Sequence, residues 1–141
     1  DRESAGLLLF TNDGELANRL LHPRYEVTKE YLVWVDGRVE ERALRRLEQG
    51  LEDDGEWLHA ESVTIDEQDG PDYFLLRFIV AEGRKREIRR LCTRCHWRVQ
   101  SLLRVRLGPL WLDGLALGEV RELTADELKT LRHGVGLAIN G

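Results

Sequence analysis

Two cysteines and a histidine stand close together in the stretch C-T-R-C-H, residues 92–96. This spacing is the attachment signature of a c-type haem, and a C-x-x-C pair is also half of many zinc sites. On a helix, however, Cys92 and Cys95 fall into one apolar stripe with Ile88 and Leu91, at spacings i, i+3, i+4 and i+7. The sequence has no second C-x-x-C pair to complete a zinc site. We therefore predict two buried packing thiols, with neither haem nor zinc.

Positive charge is concentrated around those cysteines. Residues 84–106 hold nine Lys or Arg and a single acid, a local charge of +8, although the whole chain of 141 residues carries −5. Such asymmetry predicts an anion-binding surface, with RNA or DNA phosphate as its partner. The alternative is a solvated helix face, but such faces usually mix both signs. The predicted phosphate contacts are Arg84, Lys85, Arg86, Arg90, Arg94, Arg104 and Arg106.

Length and composition fit one globular domain, since 33% of the residues are charged and 42% are hydrophobic. The longest apolar runs stay far below the ~18 residues that span a bilayer, and the chain does not open with a secretory leader. Two closely spaced cysteines favour packing in a reducing compartment over a disulfide. We therefore expect a cytoplasmic protein without a membrane partner.

The positions of these residues depend on elements that can be predicted from periodicity and turn signals. The pattern predicts strands interleaved with helices, hence an α+β fold with a mixed, largely antiparallel sheet and flanking helices. A capping box formed by Thr124 and Glu127 predicts the start of the last helix, which ends near His133. The predicted strands cover residues 6–11, 31–35, 61–67, 73–80, 99–107 and 110–112, and the other helices cover 13–21, 40–49 and 83–95.

Four segments of the chain resemble one known family. The opening D-x-x-S-x-G-L-L-L-F-T-N-D-G-E-L-A-N-R-L is similar to the signature of the bacterial ribosomal RNA pseudouridine synthases of the RsuA family. The stretches KEYLVWVDG (29–37), EGRKREIRRL (82–91) and RVRLGPLWLDGLALGEVREL (104–123) resemble further motifs of that family, in its order. The stretches LLLFTNDGELANRLLHP and LRHGVGL are most similar to the family's B-type enzymes, which act on the large ribosomal subunit. The resemblance implies a pseudouridine synthase catalytic fold that acts on ribosomal RNA, with 23S rRNA as the expected substrate.

The resemblance also implies roles for single residues. The family's essential aspartate falls on Asp1, its active-site tyrosine on Tyr31, and its aspartate-pairing arginine on Arg89. From the residues alone, Asp1 could equally form a turn or cap, and Tyr31 could be a packing aromatic of the sheet. We also expect Asn12 and Arg19, which lie in the first matching segment, to contact RNA. The resemblance implies no metal, nucleotide or organic cofactor, and we expect a monomer.

Some features depart from the family pattern. Members carry further motifs upstream of the aspartate and often a small amino-terminal RNA-binding domain, so we expect residues 1–141 to be a catalytic domain without its first strands. The family usually has glycine where His96 stands. Two alternatives remain open, namely a synthase for another rRNA site, including one in 16S rRNA, and a non-catalytic RNA-binding module that retains the fold.

Overall fold

A computed structural model describes residues 5–6, 15, 18–19, 27–81, 86–111 and 124–137. Most of its regular structure lies in one sheet and the helices beside it. The strands are β1 (Ala5–Gly6), β2 (Lys29–Asp36), β3 (Leu51–Asp53), β4 (Glu56–Leu58), β5 (Ser62–Gln68), β6 (Tyr73–Val80), β7 (Arg98–Leu107) and β8 (Leu110–Trp111). The helices are α1 (Glu41–Gln49), α2 (Glu87–Arg94) and α3 (Ala125–Gly134).

The main sheet has the strand order β1-β7-β2-β6-β5, and β8 pairs with β7. The β1–β7 pair is parallel, and the remaining pairs are antiparallel. This confirms the predicted α+β class with a mixed, largely antiparallel sheet. The predicted strand over 73–80 is confirmed as β6, and the helix over 40–49 is confirmed as α1 with a start one residue later.

One face of this sheet carries the core. Alternate residues of β6 are buried, and Val33 and Val35 of β2 are buried on the same face, because successive side chains of a strand point to opposite faces. We call it the core face. Helices α1 and α2 contribute apolar side chains to the same core. The sheet and the two helices therefore share one hydrophobic core. Its fully buried members include Val33, Val35, Leu76, Phe78, Leu44, Leu47 and Leu91.

The start of α2 differs from the prediction. The helix begins at Glu87, four residues later than predicted, and Arg86 precedes it in a left-handed conformation with φ 53°. Arg86 therefore does not share a helix face with Arg90 and Arg94, as it would have in the predicted helix over 83–95. The reason is local, because a residue with positive φ cannot continue a right-handed helix.

The hairpin β3–β4 was not predicted from the sequence. Its two strands pair in register over Leu51–Asp53 and Glu56–Leu58, and they form a small second sheet. Its turn residues Asp54 and Gly55 have φ of 50° and 79°. Positive φ at both central residues is the signature of a type I′ hairpin turn, which Asp-Gly strongly favours. The Asp54-Gly55 dipeptide was thus a sequence signal for this hairpin.

His96 ends helix α2 in a conformation that glycine adopts more easily. Its φ is 62°, its amide donates to the Thr93 carbonyl at 3.0 Å, and the Trp97 amide donates to the Cys92 carbonyl at 2.9 Å. These two bonds form a Schellman motif, in which the left-handed position is usually glycine. Side chains with a Cβ are strained at this φ, so His96 adds strain at the helix end.

We therefore expect His96→Gly to stabilise the protein by about 0.5–1 kcal/mol, since relief of the left-handed strain exceeds the added entropy of the unfolded chain. Urea unfolding of the purified protein would measure the change. Thr93→Gly, three residues earlier on the exposed side of the helix, is the control and should destabilise. Equal losses in both variants would contradict the strain at His96.

Candidate nucleic-acid interface and active site

Strand β1, which follows Asp1 in the sequence, lies two strands from Tyr31 in the sheet. In the sheet register, Gly6 on β1 pairs with Arg104 on β7, and Arg104 pairs with Tyr31 on β2. Strands lie about 4.8 Å apart, so the backbones of Gly6 and Tyr31 are separated by roughly 10 Å. Asp1 itself lies outside the described residues. The segment that follows it therefore joins the sheet two strands away from Tyr31.

Tyr31 lies on the core face. It is half-buried and packs against the hydrophobic core, between Phe78 on β6 and Arg104 on β7. Arg104 is on the same face, since the two residues are directly paired and directly paired residues point the same way. The pairing of β2 with β7 shifts register between Glu30 and Tyr31, which turns Arg104 to this face and Arg106 to the other.

Two charged residues near Tyr31 and Arg89 in the sequence, Lys29 and Glu87, were not among the predicted site residues. Lys29 lies two residues before Tyr31 on β2 and therefore faces the same way. Glu87, the first residue of α2, is buried, with 5% of its surface exposed. Burial and the nearby Arg104 lower the pKa of Lys29, and the Glu87 carboxylate opposes this effect. Lys29 and Arg104 are thus the charged residues that strand geometry places on the face of Tyr31, and the K-x-Y spacing was the sequence signal for Lys29.

Arg89 occupies the first turn of α2, at the edge of the buried stripe. It is half-buried, whereas Ile88 and Leu91, which belong to the stripe, are 5% and 0% exposed. Its charge also acts on the interior, because it lowers the pKa of the Cys92 thiol against the larger effect of burial. Arg89 therefore lies at the border between the core and the surface. Its role as a partner of Asp1 stays a prediction.

Both cysteines contact the core as predicted, but only Cys92 is fully buried. Cys92 is fully buried in the core, and Cys95 packs against it half-buried. Burial raises the pKa of each thiol, so both remain protonated near neutral pH. Among the described residues, no group of three or more His, Cys, Asp or Glu side chains is arranged so that it could hold a metal ion.

Arg90 and Arg94 make ion pairs with the β3–β4 hairpin. The Nε atoms of Arg90 and Arg94 donate to the two carboxylate oxygens of Asp53 at 2.7 and 2.6 Å. Arg90 also donates to Glu56 at 2.8 Å and to the backbone carbonyl of Asp53 at 2.8 Å. The side chain of Arg94 is 49% exposed and that of Arg90 is 20% exposed. Both arginines thus anchor the hairpin to α2, and their predicted contact with RNA would require new partners.

Asp53 should make the stability of the protein depend on pH in the acidic range. Hydrogen bonds from Arg90 and then Arg94 hold its pKa below the ordinary value of 3.8. A carboxyl whose pKa is lower in the folded state adds stability above its unfolded pKa and loses it as the pH falls through the folded one. We expect Asp53→Asn to lower the urea midpoint by roughly a few tenths molar at pH 7, and this difference should shrink as the pH falls below 3.8.

The control for this prediction is Asp54→Asn, the same change on the neighbouring residue at the exposed hairpin tip. Asparagine tolerates the left-handed conformation of that position, so its urea midpoint should stay close to that of the unsubstituted protein at every pH. Urea titrations between pH 7 and pH 2 measure both variants. A constant difference for Asp53→Asn across this range would mean that its charge is not the source of the effect.

Other predicted RNA contacts also have partners within the chain. Arg106 donates to Glu30 at 3.3 Å, Thr28 at 3.0 Å and the Gly108 carbonyl at 2.8 Å, and its guanidinium lies 5.5 Å from the centre of the Trp111 ring. Arg19 donates to the Val135 carbonyl at 2.8 Å and to Glu15 at 3.2 Å. Arg84, Lys85 and Asn12 lie outside the described residues.

The predicted arginine set therefore divides by location. Arg104 lies on the core face beside Tyr31, and Arg86 and Arg89 lie at the start of α2, whereas Arg90 and Arg94 face the hairpin. No helix in the described part of the chain is long and apolar enough to cross a membrane.

Comparisons with known proteins connect this geometry to a reaction. A sequence profile described as RNA pseudouridylate synthase matches residues 1–94. An uncharacterized RNA pseudouridine synthase of Aquifex aeolicus is 40% identical over 137 residues, which are 97% of this chain and 55% of that protein. The ribosomal large subunit pseudouridine synthase B of Pseudomonas aeruginosa is 43% identical over 97% of this chain and 36% of its own length.

A solved structure is similar as well. A crystal structure of a pseudouridylate synthase superimposes with a TM-score of 0.80 at 29% identity, over 93% of this chain and 56% of that one. The expected fold is thereby confirmed. The chain spans about half the length, or less, of the relatives it matches.

Proposed function

Because this chain belongs to the RNA pseudouridylate synthase family, we propose that it converts a specific uridine of ribosomal RNA, in 23S rRNA, to pseudouridine. The observation that carries the proposal is the family match over residues 1–94, which includes Asp1, Tyr31 and Arg89. The similarity to a large subunit pseudouridine synthase B over nearly the whole chain supports the choice of 23S rRNA. We further propose that residues 1–141 act as the catalytic domain and as a monomer.

The reaction is an isomerisation that needs no net oxidation or reduction. The bond between N1 of uracil and C1′ of the ribose breaks, the base turns, and C5 bonds to C1′. The proton of C5 leaves, and N1 gains one. A base inside folded RNA is not accessible to such chemistry, so the target uridine must be flipped out of its stack.

We assign the chemical steps to three side chains. Asp1 acts on the ribose as nucleophile or base, which requires an ionised carboxylate. Arg89 would keep that carboxylate charged and oriented, because an opposite charge nearby lowers a carboxyl pKa. Tyr31 would stack on the flipped uracil and use its hydroxyl for the proton at C5. The half-buried positions of Arg89 and Tyr31 beside the core support roles inside a pocket.

The remaining basic residues would hold RNA phosphates and position the substrate without reading its sequence. Arg86, Arg104, Arg84 and Lys85, with Asn12, are proposed as direct contacts. Arg90, Arg94, Arg106 and Arg19 already have acceptors in the chain, so contact with RNA would require exchange of those partners. We therefore expect each of these four arginines to contribute less to the salt dependence of binding than a full phosphate contact would.

Mapping of pseudouridine on unmodified ribosomal RNA tests the proposal. Transcripts of 23S and 16S rRNA are incubated with the natural protein that contains this chain, treated with carbodiimide, and read by primer-extension stops. We expect one enzyme-dependent stop in 23S rRNA. A stop in 16S rRNA alone would overturn the choice of substrate. RNA binding without any stop would favour a non-catalytic module that retains the fold.

A further inference from the structure

An exposed tryptophan and a hydrogen-bonded arginine meet at the edge of β7. Trp111 on β8 is 49% exposed, and its backbone pairs directly with Arg106 on β7. The Arg106 guanidinium lies over the Trp111 ring, 5.5 Å from its centre. This is the geometry of a cation–π contact, in which the cation covers one face of the ring. The exposed part of Trp111 therefore belongs to a ring that is already supported from one side.

Several acceptors hold Arg106 in this place. Its Nε donates to Glu30 at 3.3 Å, and one terminal nitrogen donates to the Thr28 hydroxyl at 3.0 Å and to the Gly108 carbonyl at 2.8 Å. Glu30 is 5% exposed and also accepts from Arg77. The Glu30 carboxylate thus lies between two guanidinium groups, and these charge-assisted bonds fix the orientation of Arg106.

Strand β8 is anchored on its own account. The pairing of Leu107 with Leu110 leaves a two-residue hairpin loop between β7 and β8. Gly108, the first loop residue, has φ 55°, as a type II′ turn requires there, and its amide donates to the Thr28 carbonyl at 2.8 Å. Leu110 is 4% exposed, so a buried side chain holds β8 next to the exposed one. The Trp111 ring is therefore presented on a short, well-anchored element.

The charged groups behind the ring balance one another. Arg106 and Arg77 bring two positive charges, and their partners Glu30 and Asp66 bring two negative ones. These four side chains carry no net charge that would attract a phosphate, so the feature that this surface presents is the flat ring of Trp111. Every nucleic-acid base has a π-face, and stacking on an aromatic side chain accommodates any of them.

We propose that Trp111 is a stacking platform for an unpaired base of the RNA substrate, distinct from the target uridine. Arg106 supports the ring and keeps its own acceptors. The platform lies on the face of the sheet opposite Tyr31, at the edge of β7 that β1 also joins. The RNA passes around this edge, with its target base on the core face and a neighbouring base on Trp111. The inference rests on the proposed function, because that function supplies the RNA.

RNA affinity at several salt concentrations tests the platform in the natural protein that contains this chain. Base stacking releases no counterions, so its contribution should not change with salt. We expect Trp111→Ala to weaken binding of the mapped RNA by about fivefold to a hundredfold, with an unchanged salt slope. Trp111→Phe keeps an aromatic face and should bind within about threefold of the unsubstituted protein. In turnover, Trp111→Ala should raise KM and leave kcat within about twofold, since uniform binding is lost.

The matched control is Trp57→Ala. Trp57 is 58% exposed, but it lies on the β3–β4 hairpin, directly after Glu56 and paired with Glu52. Its removal should leave RNA affinity within about twofold. Equal losses in the two alanine variants would show that the position of Trp111 has no special role, and a flatter salt slope in Trp111→Ala would indicate a phosphate contact. A loss confined to ribosomal particles, with naked RNA bound normally, would mean that Trp111 meets a protein. Each of these results would overturn the platform.

A second measurement needs neither a uridine nor catalysis. Oligoadenylate contains no uridine, and a base stacked on Trp111 should quench part of the tryptophan fluorescence. Trp111→Phe should lose this quenching, whereas Trp57→Phe should keep it. Absence of quenching in the unsubstituted protein, or full quenching in Trp111→Phe, would contradict the platform whatever the kinetics show. A protein that forms no pseudouridine, yet is quenched only when Trp111 is present, would overturn the proposed function and leave the platform in place.

Discussion

Replacement of Asp1 by asparagine should reduce pseudouridine formation by about 10³-fold or more. Asparagine keeps the size of the side chain, but it can serve neither as a nucleophile nor as a base towards the ribose. Affinity for the RNA should stay within about threefold, since no phosphate contact is lost. Single-turnover rates and filter binding on the mapped substrate measure the two quantities separately.

The hairpin tip supplies a matched control, because Asp54→Asn makes the same chemical change at an exposed position. Its turnover and affinity should both equal those of the unsubstituted protein. If Asp1→Asn lost RNA affinity in parallel with turnover, Asp1 would have a role in binding and the assigned chemistry would be wrong.

Removal of the Tyr31 hydroxyl should give the second large effect. In Tyr31→Phe, the ring remains in place against the core beside Phe78, so packing on the target base should persist. The variant cannot handle the proton at C5 through a hydroxyl, and loss of a general acid or base costs typically 10²–10⁴-fold. We expect kcat to fall by about 10²-fold or more, with KM within about threefold.

Tyr73→Phe is the control for this change. Tyr73 lies on the opposite face of the sheet, where its ring stacks on Trp34 with centroids 4.7 Å apart and planes inclined by 10°. Its substitution should leave turnover unchanged. Should Tyr31→Phe also retain full turnover, Tyr31 would be a packing aromatic of the sheet, which was the alternative that its sequence position allowed.

The basic segment illustrates how tertiary contacts alter a charge pattern. In sequence, residues 84–106 hold nine Lys or Arg side chains and a single acid. In the fold, Asp53 and Glu56 neutralise Arg90 and Arg94 from a hairpin more than thirty residues away along the chain. Acidic side chains at the hairpin would also repel RNA phosphates, so a substrate should approach α2 from its first turn. A count of charges along the sequence could not reveal this, because the interaction between two charges depends on their distance in the folded protein.

The end of α2 keeps its usual backbone conformation although its residue departs from the family pattern. The sequence departs from the family at His96, and the structure retains the usual helix termination with histidine in the left-handed position. The haem-like letters therefore arise from a substitution in a helix cap, and the cysteines beside it are core residues. The fold accepts the strain because the two backbone hydrogen bonds of the motif remain formed.

The sequence by itself determined the fold class, the order of most elements, the burial of both cysteines and the family. These follow from periodicity and local spacing, since the two-residue repeat of β6 and the apolar stripe of α2 are properties of neighbouring residues. Only the tertiary structure decided which cations lie beside Tyr31 and which are held by the hairpin. Strand register and a shift between Glu30 and Tyr31 place Arg104 and Arg106 on opposite faces. Such choices depend on pairing between distant segments, and a change of one residue in register reverses the face on which a side chain lies.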